Sequence, residues 1–122
     1  MPEIEIILAA LSALRIPVNP EERVLHEMVA AALQAANIAA RHEAVIAPRC
    51  RIDFLAGDIG IEIKRGRLDA KRLTAQAARY LSSPLVVALI LLTTDRAPLP
   101  DRIHGKSVVV FGLNRLWGVA LP

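Results

Sequence analysis

Residues 51–65 read RIDFLAGDIGIEIKR, and this stretch decides the fold. Apolar and polar side chains alternate on both sides of Gly57-Asp58, a dipeptide typical of the tight turns that close β-hairpins. We therefore predict two antiparallel strands, 51–56 and 59–64. Counting outward from a two-residue loop predicts four cross-strand pairs: Ala56 with Ile59, Phe54 with Ile61, Asp53 with Glu62, and Arg51 with Lys64.

The two faces of this hairpin differ in polarity. Successive side chains on a strand point to opposite faces, so Ile52 and Phe54 are predicted to share the core face with the isoleucines of the second strand. Asp53 and Glu62 then lie opposite each other on the other face, where two like charges destabilise a sheet unless a cation neutralises them. Two carboxylates, the backbone carbonyl of Ile63 and water form the oxygen-rich ligand set that Mg²⁺ or Mn²⁺ prefers.

Lys64 extends this constellation along the same face, within reach of a water or phosphate oxygen held by the cation. A bound cation of this kind polarises a phosphodiester and lowers the pKa of its water, while the ammonium group orients that water or stabilises the developing charge. The sequence therefore predicts a hydrolytic site formed by Asp53, Glu62 and Lys64.

This hairpin resembles the core of the PD-(D/E)XK nuclease superfamily, whose motif is an Asp on one strand and Glu-x-Lys on the next. The matching residues are Asp53 and Glu62-Ile63-Lys64, and Ile52 stands where the name of the motif has Pro. The resemblance implies a restriction-endonuclease-like core, with a mixed β-sheet flanked by helices, and a nuclease that hydrolyses DNA with Mg²⁺ or Mn²⁺. It also implies an acidic residue on an upstream helix and a supporting helix after the lysine.

The helix predicted over residues 68–81 contains Gln76-Ala-Ala-Arg-Tyr80. Residues four apart lie on one face of a helix, so Gln76 and Tyr80 are expected to point towards the sheet. Alone, such a pair is ordinarily a partly buried helix pair. Beside this hairpin it is similar to the Gln-x-x-x-Tyr motif of the RecB-like, Holliday-junction-resolvase-like branch of the superfamily, which implies that both residues support the active site and contact the nucleic acid.

Glu22 is our first choice for the upstream acid, because it lies at the edge of the apolar stripe of the second predicted helix. The preceding Asn19-Pro20 also reads as a helix start, in which case Glu22 is the glutamate of a capping box. Both interpretations stay open. Glu21 is the second choice and Glu27 the third.

The flanking segments complete an α/β pattern. We predict a helix over 4–14, although residues 3–7 also alternate as a strand, and a second helix from Asn19 to a left-handed stop at Asn37. Further strands are predicted over 41–47, 85–93, 107–111 and 116–121, and 85–93 is apolar enough for a central buried strand. No repeat or linker interrupts the chain, so we predict a single domain spanning residues 1–122.

Positive charge is concentrated just after the hairpin. Between Lys64 and Arg79 there are six cations and one anion, whereas the net charge of the whole chain is only +3. Such a run attracts a polyanion, although a solvated helix face has the same composition. We expect Arg65, Arg67, Arg72 and Arg79 to follow the DNA backbone, and the 3% aromatic content argues against base stacking.

The remaining composition indicates the setting. The longest apolar run, Leu85 to Leu92, is far shorter than the roughly 20 residues that span a membrane. Glu3 and Glu5 stand where a secretory signal has Lys or Arg, and the lone Cys50 excludes an internal disulfide, so we expect a cytoplasmic protein. The 54% hydrophobic content leaves apolar surface for self-association, from which we expect a homodimer.

His26, His42 and His104 share no metal-ligand spacing, and we interpret them as structural. The alternative function is a catalytically silent nucleic-acid-binding or assembly module on the same fold, and a third is an α/β interaction domain with no nucleic-acid role. Paired carboxylates beside a lysine favour the nuclease, because a binding module needs no such pair.

Overall fold

The structure is a computed structural model and describes residues 3–95 and 97–113. Its helices are α1 (Ile4–Leu11), α2 (Glu22–Ala35) and α3 (Ala70–Leu81), and its strands are β1 (Arg41–Ala47), β2 (Cys50–Ala56), β3 (Ile59–Lys64), β4 (Ala88–Thr93), β5 (Arg102–Ile103) and β6 (Lys106–Gly112). None of these helices has the length and apolar character needed to cross a bilayer. The strand predicted over 116–121 lies outside the described residues.

The six strands form one mixed sheet in the order β1-β2-β3-β4-β6-β5. β1, β2 and β3 are antiparallel neighbours, β3, β4 and β6 run parallel, and the short β5, which was not predicted, pairs antiparallel with β6. All six residues of β4 are buried, which confirms the prediction of a central strand covered on both faces. The α/β class and the mixed sheet flanked by helices are likewise confirmed.

The helices cover the two faces of the sheet separately. Leu25, Val29 and Leu33 of α2 pack with α1 and with the three isoleucines of β3, and we name this cluster the α1/α2 core. Ala77, Tyr80 and Leu81 of α3 pack on the opposite face, in a cluster that we name the α3 core. Each face of the hairpin is therefore buried against a different helical layer.

The predicted hairpin register is confirmed near the turn, where Ala56 pairs with Ile59, Leu55 with Gly60, and Phe54 with Ile61. The prediction that Ile52 and Phe54 share a face is wrong, because Ile52 lies in the α3 core and Phe54 in the α1/α2 core. In β1 and β2 the alternation of side chains between the two faces is interrupted at one position. There, Glu43 of β1 adopts a left-handed φ of 55° between the pairs His42–Phe54 and Ala44–Ile52.

The start of α2 also differs from the prediction. The helix begins at Glu22, and its N-cap is Glu21, whose side chain makes no capping hydrogen bond. Asn19 has a left-handed φ of 51° and lies outside the helix, so the capping box of Asn19 and Glu22 is wrong. The left-handed stop at Asn37 is confirmed by its φ of 58°.

Candidate active site

The two carboxylates meet where the β2–β3 ladder ends. The backbone N–H of Asp53 donates to Glu62 Oε1 over 3.0 Å, and the N–H of Ile63 donates to Asp53 Oδ2 over 2.8 Å. Side-chain oxygens thus replace backbone carbonyls as acceptors, and the predicted meeting of the two carboxylates is confirmed. The ladder does not reach Arg51 and Lys64, which pair with the other neighbouring strands, so that part of the predicted register is wrong.

Burial makes the charged form of this pair unfavourable. Glu62 is only 6% exposed, and desolvation, reinforced by the charge of Asp53, raises its pKa to about 7. Desolvation also raises the pKa of Asp53, against the opposing effects of the Ile63 N–H and of His26. Near neutral pH the pair therefore favours sharing a proton or binding a cation over carrying two uncompensated charges.

Lys64 and α3 surround Glu62 on one side. Lys64 Nζ lies 3.5 Å from Glu62 Oε2, with about a quarter of its side chain exposed. The Tyr80 hydroxyl donates to the same oxygen over 2.8 Å, and Gln76 Nε2 donates to the Tyr80 hydroxyl, also over 2.8 Å. The prediction that Gln76 and Tyr80 point from the helix towards the hairpin is confirmed.

The hydroxyl of Tyr80 is fixed in the role of donor. Its pKa is raised first by burial and then by the negative charge of Glu62, so it stays protonated across the physiological range. Because the Tyr80 hydroxyl always donates to Glu62 Oε2, it fixes the orientation of that carboxylate. Tyr80 thus acts on the site through Glu62.

His26 is a residue of the site that the sequence analysis missed. Its Nε2 lies 3.6 Å from Asp53 Oδ2, and 13% of its side chain is exposed. It reaches the carboxylate pair from α2, on the side of the sheet opposite α3. The available signal is its position beside Leu25, at the edge of the apolar stripe of α2, where a polar side chain can face the sheet.

The acidic candidates of α2 are not brought into contact with the carboxylate pair. Glu22 is exposed, one turn before His26 on the same helix face, and makes no hydrogen bond to Asp53 or Glu62. Glu27 is held by Arg23 over 3.0 Å on the exposed side of the helix. The role of Glu22 as a metal ligand therefore stays a prediction.

A basic cavity of about 520 Å³ opens beside Lys64 and runs along α3. Arg67, Arg72 and Arg79 line it together with Gln76, and Asp69 is the acidic residue of the lining. Arg65 does not line the cavity, because its guanidinium donates to the carbonyl of Pro20 over 2.8 Å. Three of the four arginines predicted to contact DNA thus share one surface.

The residues present fit a divalent cation of the Mg²⁺ class. The donor set is two carboxylates, each accepting a hydrogen bond from a backbone N–H of the neighbouring strand, with a lysine rather than a third acid beside them. Carboxylate oxygens are the ligands that Mg²⁺ and Mn²⁺ prefer, and neutralisation by a cation offsets the cost of burying both charges. Ile63 lies between the two acids, and its carbonyl stays the predicted third ligand.

Comparisons of the chain with protein-family models, curated proteins and solved structures found no match.

Proposed function

We propose that this protein is a metal-dependent nuclease that hydrolyses DNA phosphodiester bonds, built on a restriction-endonuclease-like core. The observation that supports this most strongly is the pairing of Asp53 with the buried Glu62, beside Lys64, which itself lines a basic cavity. A sheet selected only for stability would have apolar residues at these positions, because burying two like charges is costly.

In this proposal Asp53, Glu62 and the Ile63 carbonyl hold Mg²⁺ or Mn²⁺. The bound cation supplies Lewis acidity, which polarises the scissile phosphate and lowers the pKa of its water. Lys64, whose ammonium lies 3.5 Å from Glu62, orients the attacking water or stabilises the developing negative charge.

Three further side chains position the ligands. Tyr80 donates to Glu62 and Gln76 donates to Tyr80, so both fix the orientation of one carboxylate. His26 performs the equivalent part for Asp53 from the opposite helical layer. Glu22 lies one turn from His26, and a role in completing the metal shell is proposed for it as well.

The basic cavity is the proposed path of the DNA backbone. Arg67, Arg72 and Arg79 line it, and contacts with phosphates give an affinity that falls steeply with salt and carries little sequence information. Arg65 lies beside the path, and its bond to Pro20 gives it a second part in joining β3 to the start of α2.

The test incubates plasmid, linear and branched DNA with the protein in Mg²⁺, Mn²⁺ or EDTA. Lys64→Ala is expected to abolish cleavage, while Lys71→Ala, an exposed lysine of α3 outside the cavity lining, is the matched control that keeps it. Absence of metal-dependent cleavage, or equal cleavage by Lys64→Ala, refutes the nuclease.

Calorimetry with Mn²⁺ separates the nuclease from the silent binding module. The wild-type protein is expected to bind the ion, and Asp53→Ala is expected to lose it, because the ligand set then has a single carboxylate. DNA binding with neither metal binding nor cleavage would support the silent module instead.

The homodimer stays part of the proposal. Among the described residues, five large apolar side chains are well exposed: Ile6, Val18, Val45, Leu85 and Val87. Burying some of them between two copies would present two sites, as cutting both strands of a duplex or junction requires. Sedimentation equilibrium showing only monomer at micromolar concentration would contradict this.

A further inference from the structure

We propose that His26, His42 and Glu43 form a second metal site, which takes Zn²⁺ and related cations that prefer imidazole ligands. This inference goes beyond the proposed nuclease, because it concerns different ligands and a different class of ion. The spacing of both histidines along the chain favoured a structural interpretation. They are 16 residues apart, one on α2 and one on β1, and only the packing of that helix on the sheet brings them together.

The distances within this cluster are close to those of a coordination shell. His26 Nδ1 and His42 Nε2 are 2.9 Å apart, and one potential ligand atom from each of the three residues lies within 4.8 Å of the others. Tetrahedral ligands at a Zn–N distance of about 2.0–2.1 Å lie about 3.3–3.4 Å from each other. The two nitrogens share a hydrogen bond, so they need to separate by only about 0.5 Å and give up the shared proton to admit the ion. Glu43 is half-exposed, and its Oε1 lies 4.0 Å from His42 Nε2, which makes it the third ligand of the set.

The surroundings hold the two imidazoles in place. His42 stacks on the buried ring of Phe54, with centroids 4.7 Å apart, and His26 lies edge-on to His42 at 5.2 Å. The other ring nitrogen of His26, Nε2, faces Asp53 Oδ2 at 3.6 Å. A histidine that binds metal through one nitrogen commonly directs the other towards a carboxylate, and this arrangement leaves His26 Nδ1 for the metal.

The backbone of Glu43 provides a separate observation. Its φ of 55° is in the left-handed region, which a residue with a β-carbon adopts at a cost. Such strained positions concentrate at functional sites, where the surrounding structure stabilises them. Here the conformation brings the Glu43 carboxylate beside His42 within a strand.

The ligand chemistry distinguishes this site from the carboxylate pair. Asp53 and Glu62 offer oxygen only, whereas two imidazoles and one carboxylate suit Zn²⁺ and its neighbours in the first transition row. Three protein ligands leave a fourth position for water or a further ligand. Mg²⁺, which keeps its water and prefers oxygen, is expected to bind only the carboxylate pair.

The experiment titrates Zn²⁺ into the full chain, without a histidine tag, by calorimetry, and Co²⁺ by its visible absorption. We expect one Zn²⁺ per chain for the wild-type protein and for His104→Gln, a matched control at a histidine whose nearest partner is Ser82. His42→Gln and Glu43→Gln are expected to weaken the affinity by at least about tenfold, since each removes a ligand. Thermal melts of all variants check that they are folded.

Glu62→Gln separates this inference from the nuclease proposal. It removes a ligand of the carboxylate pair and none of the second site, so it is expected to bind Zn²⁺ as the wild type does. Loss of Zn²⁺ binding in Glu62→Gln would place the ion at the carboxylate pair and overturn the inference, without affecting the nuclease. Wild-type affinity in folded His42→Gln and Glu43→Gln, or no Zn²⁺ binding by the wild type at micromolar concentrations, would overturn it as well.

Discussion

Glu62→Gln removes a buried charge from the centre of the site while keeping the size of the side chain, and it should stabilise the metal-free protein at alkaline pH. The physical reason is the pKa of Glu62, which burial and the neighbouring Asp53 raise from 4.5 to about 7 in the folded protein. The folded state therefore favours the protonated carboxyl, and a glutamine mimics that neutral form at every pH.

The size of the effect follows from the two pKa values. Because the pKa is raised on folding, the contribution of the wild-type carboxyl is fully present below pH 4.5 and is lost as the pH rises through about 7. Each pH unit between these values is worth about 1.4 kcal/mol, so the loss amounts to about 3 kcal/mol. The free energy of unfolding of Glu62→Gln should thus equal that of the wild type near pH 4.5 and exceed it by about 3 kcal/mol above pH 7.

Urea denaturation in EDTA, over a series of pH values, measures this difference directly. Glu5→Gln, on the exposed side of α1, is the matched control and should show no such pH dependence. Adding Mg²⁺ above pH 7 should stabilise the wild type by mass action and leave Glu62→Gln unchanged. A difference between Glu62→Gln and the wild type that does not change with pH, or a variant less stable than the wild type at alkaline pH, would refute the reasoning.

Three further substitutions test other parts of the structure. Lys106→Met should lower the free energy of unfolding by about 2–3 kcal/mol, because Lys106 Nζ donates to three backbone carbonyls at the end of α3 and in the turn after it. An unchanged midpoint of urea denaturation would contradict this. Gly60→Ala should lower the free energy of unfolding by about 1–3 kcal/mol, since the added β-carbon would lie 2.5 Å from Ile52 Cδ1 in the α3 core. A variant as stable as the wild type in thermal melts would show that Ile52 can move aside. Tyr80→Phe removes a hydrogen bond that lowers the pKa of Glu62. The pKa of Glu62 should therefore rise, and Mn²⁺ binding should shift to higher pH. Calorimetry at several pH values measures this shift, and a pH profile identical to that of the wild type would argue against it.

The parts of the site that follow local periodicity could be predicted from the sequence. The turn at Gly57-Asp58 and the pairing counted outward from it were enough to bring Asp53 and Glu62 together, although the period of two breaks at Asp53. A period of 3.6 residues was enough to place Gln76 and Tyr80 on one helix face.

The features that depend on packing between distant segments could not be predicted in this way. His26 and His42 approach because α2 packs on the sheet, and nothing in their spacing along the chain indicates that contact. The predicted start of α2 was wrong because Asn19 is a residue type that commonly caps helices, whereas its backbone here is left-handed. Side-chain preferences alone do not decide between these two uses of an asparagine.

The change of face at Glu43 and Asp53 explains how two helical layers reach one site. With unbroken alternation, Ile52, Phe54 and the rest of the apolar set would belong to one core, and Asp53 would be accessible from the opposite layer alone. In the structure, Ile52 packs towards α3 and Phe54 towards α2, so Asp53 lies at the crossing between the layers. His26 of α2 approaches it from one side, and Glu62, held by Tyr80 of α3, meets it from the other. The same change of face therefore has two consequences. It requires the left-handed φ of Glu43, which costs about 1–2 kcal/mol, and it brings residues of α2 and α3 to one site.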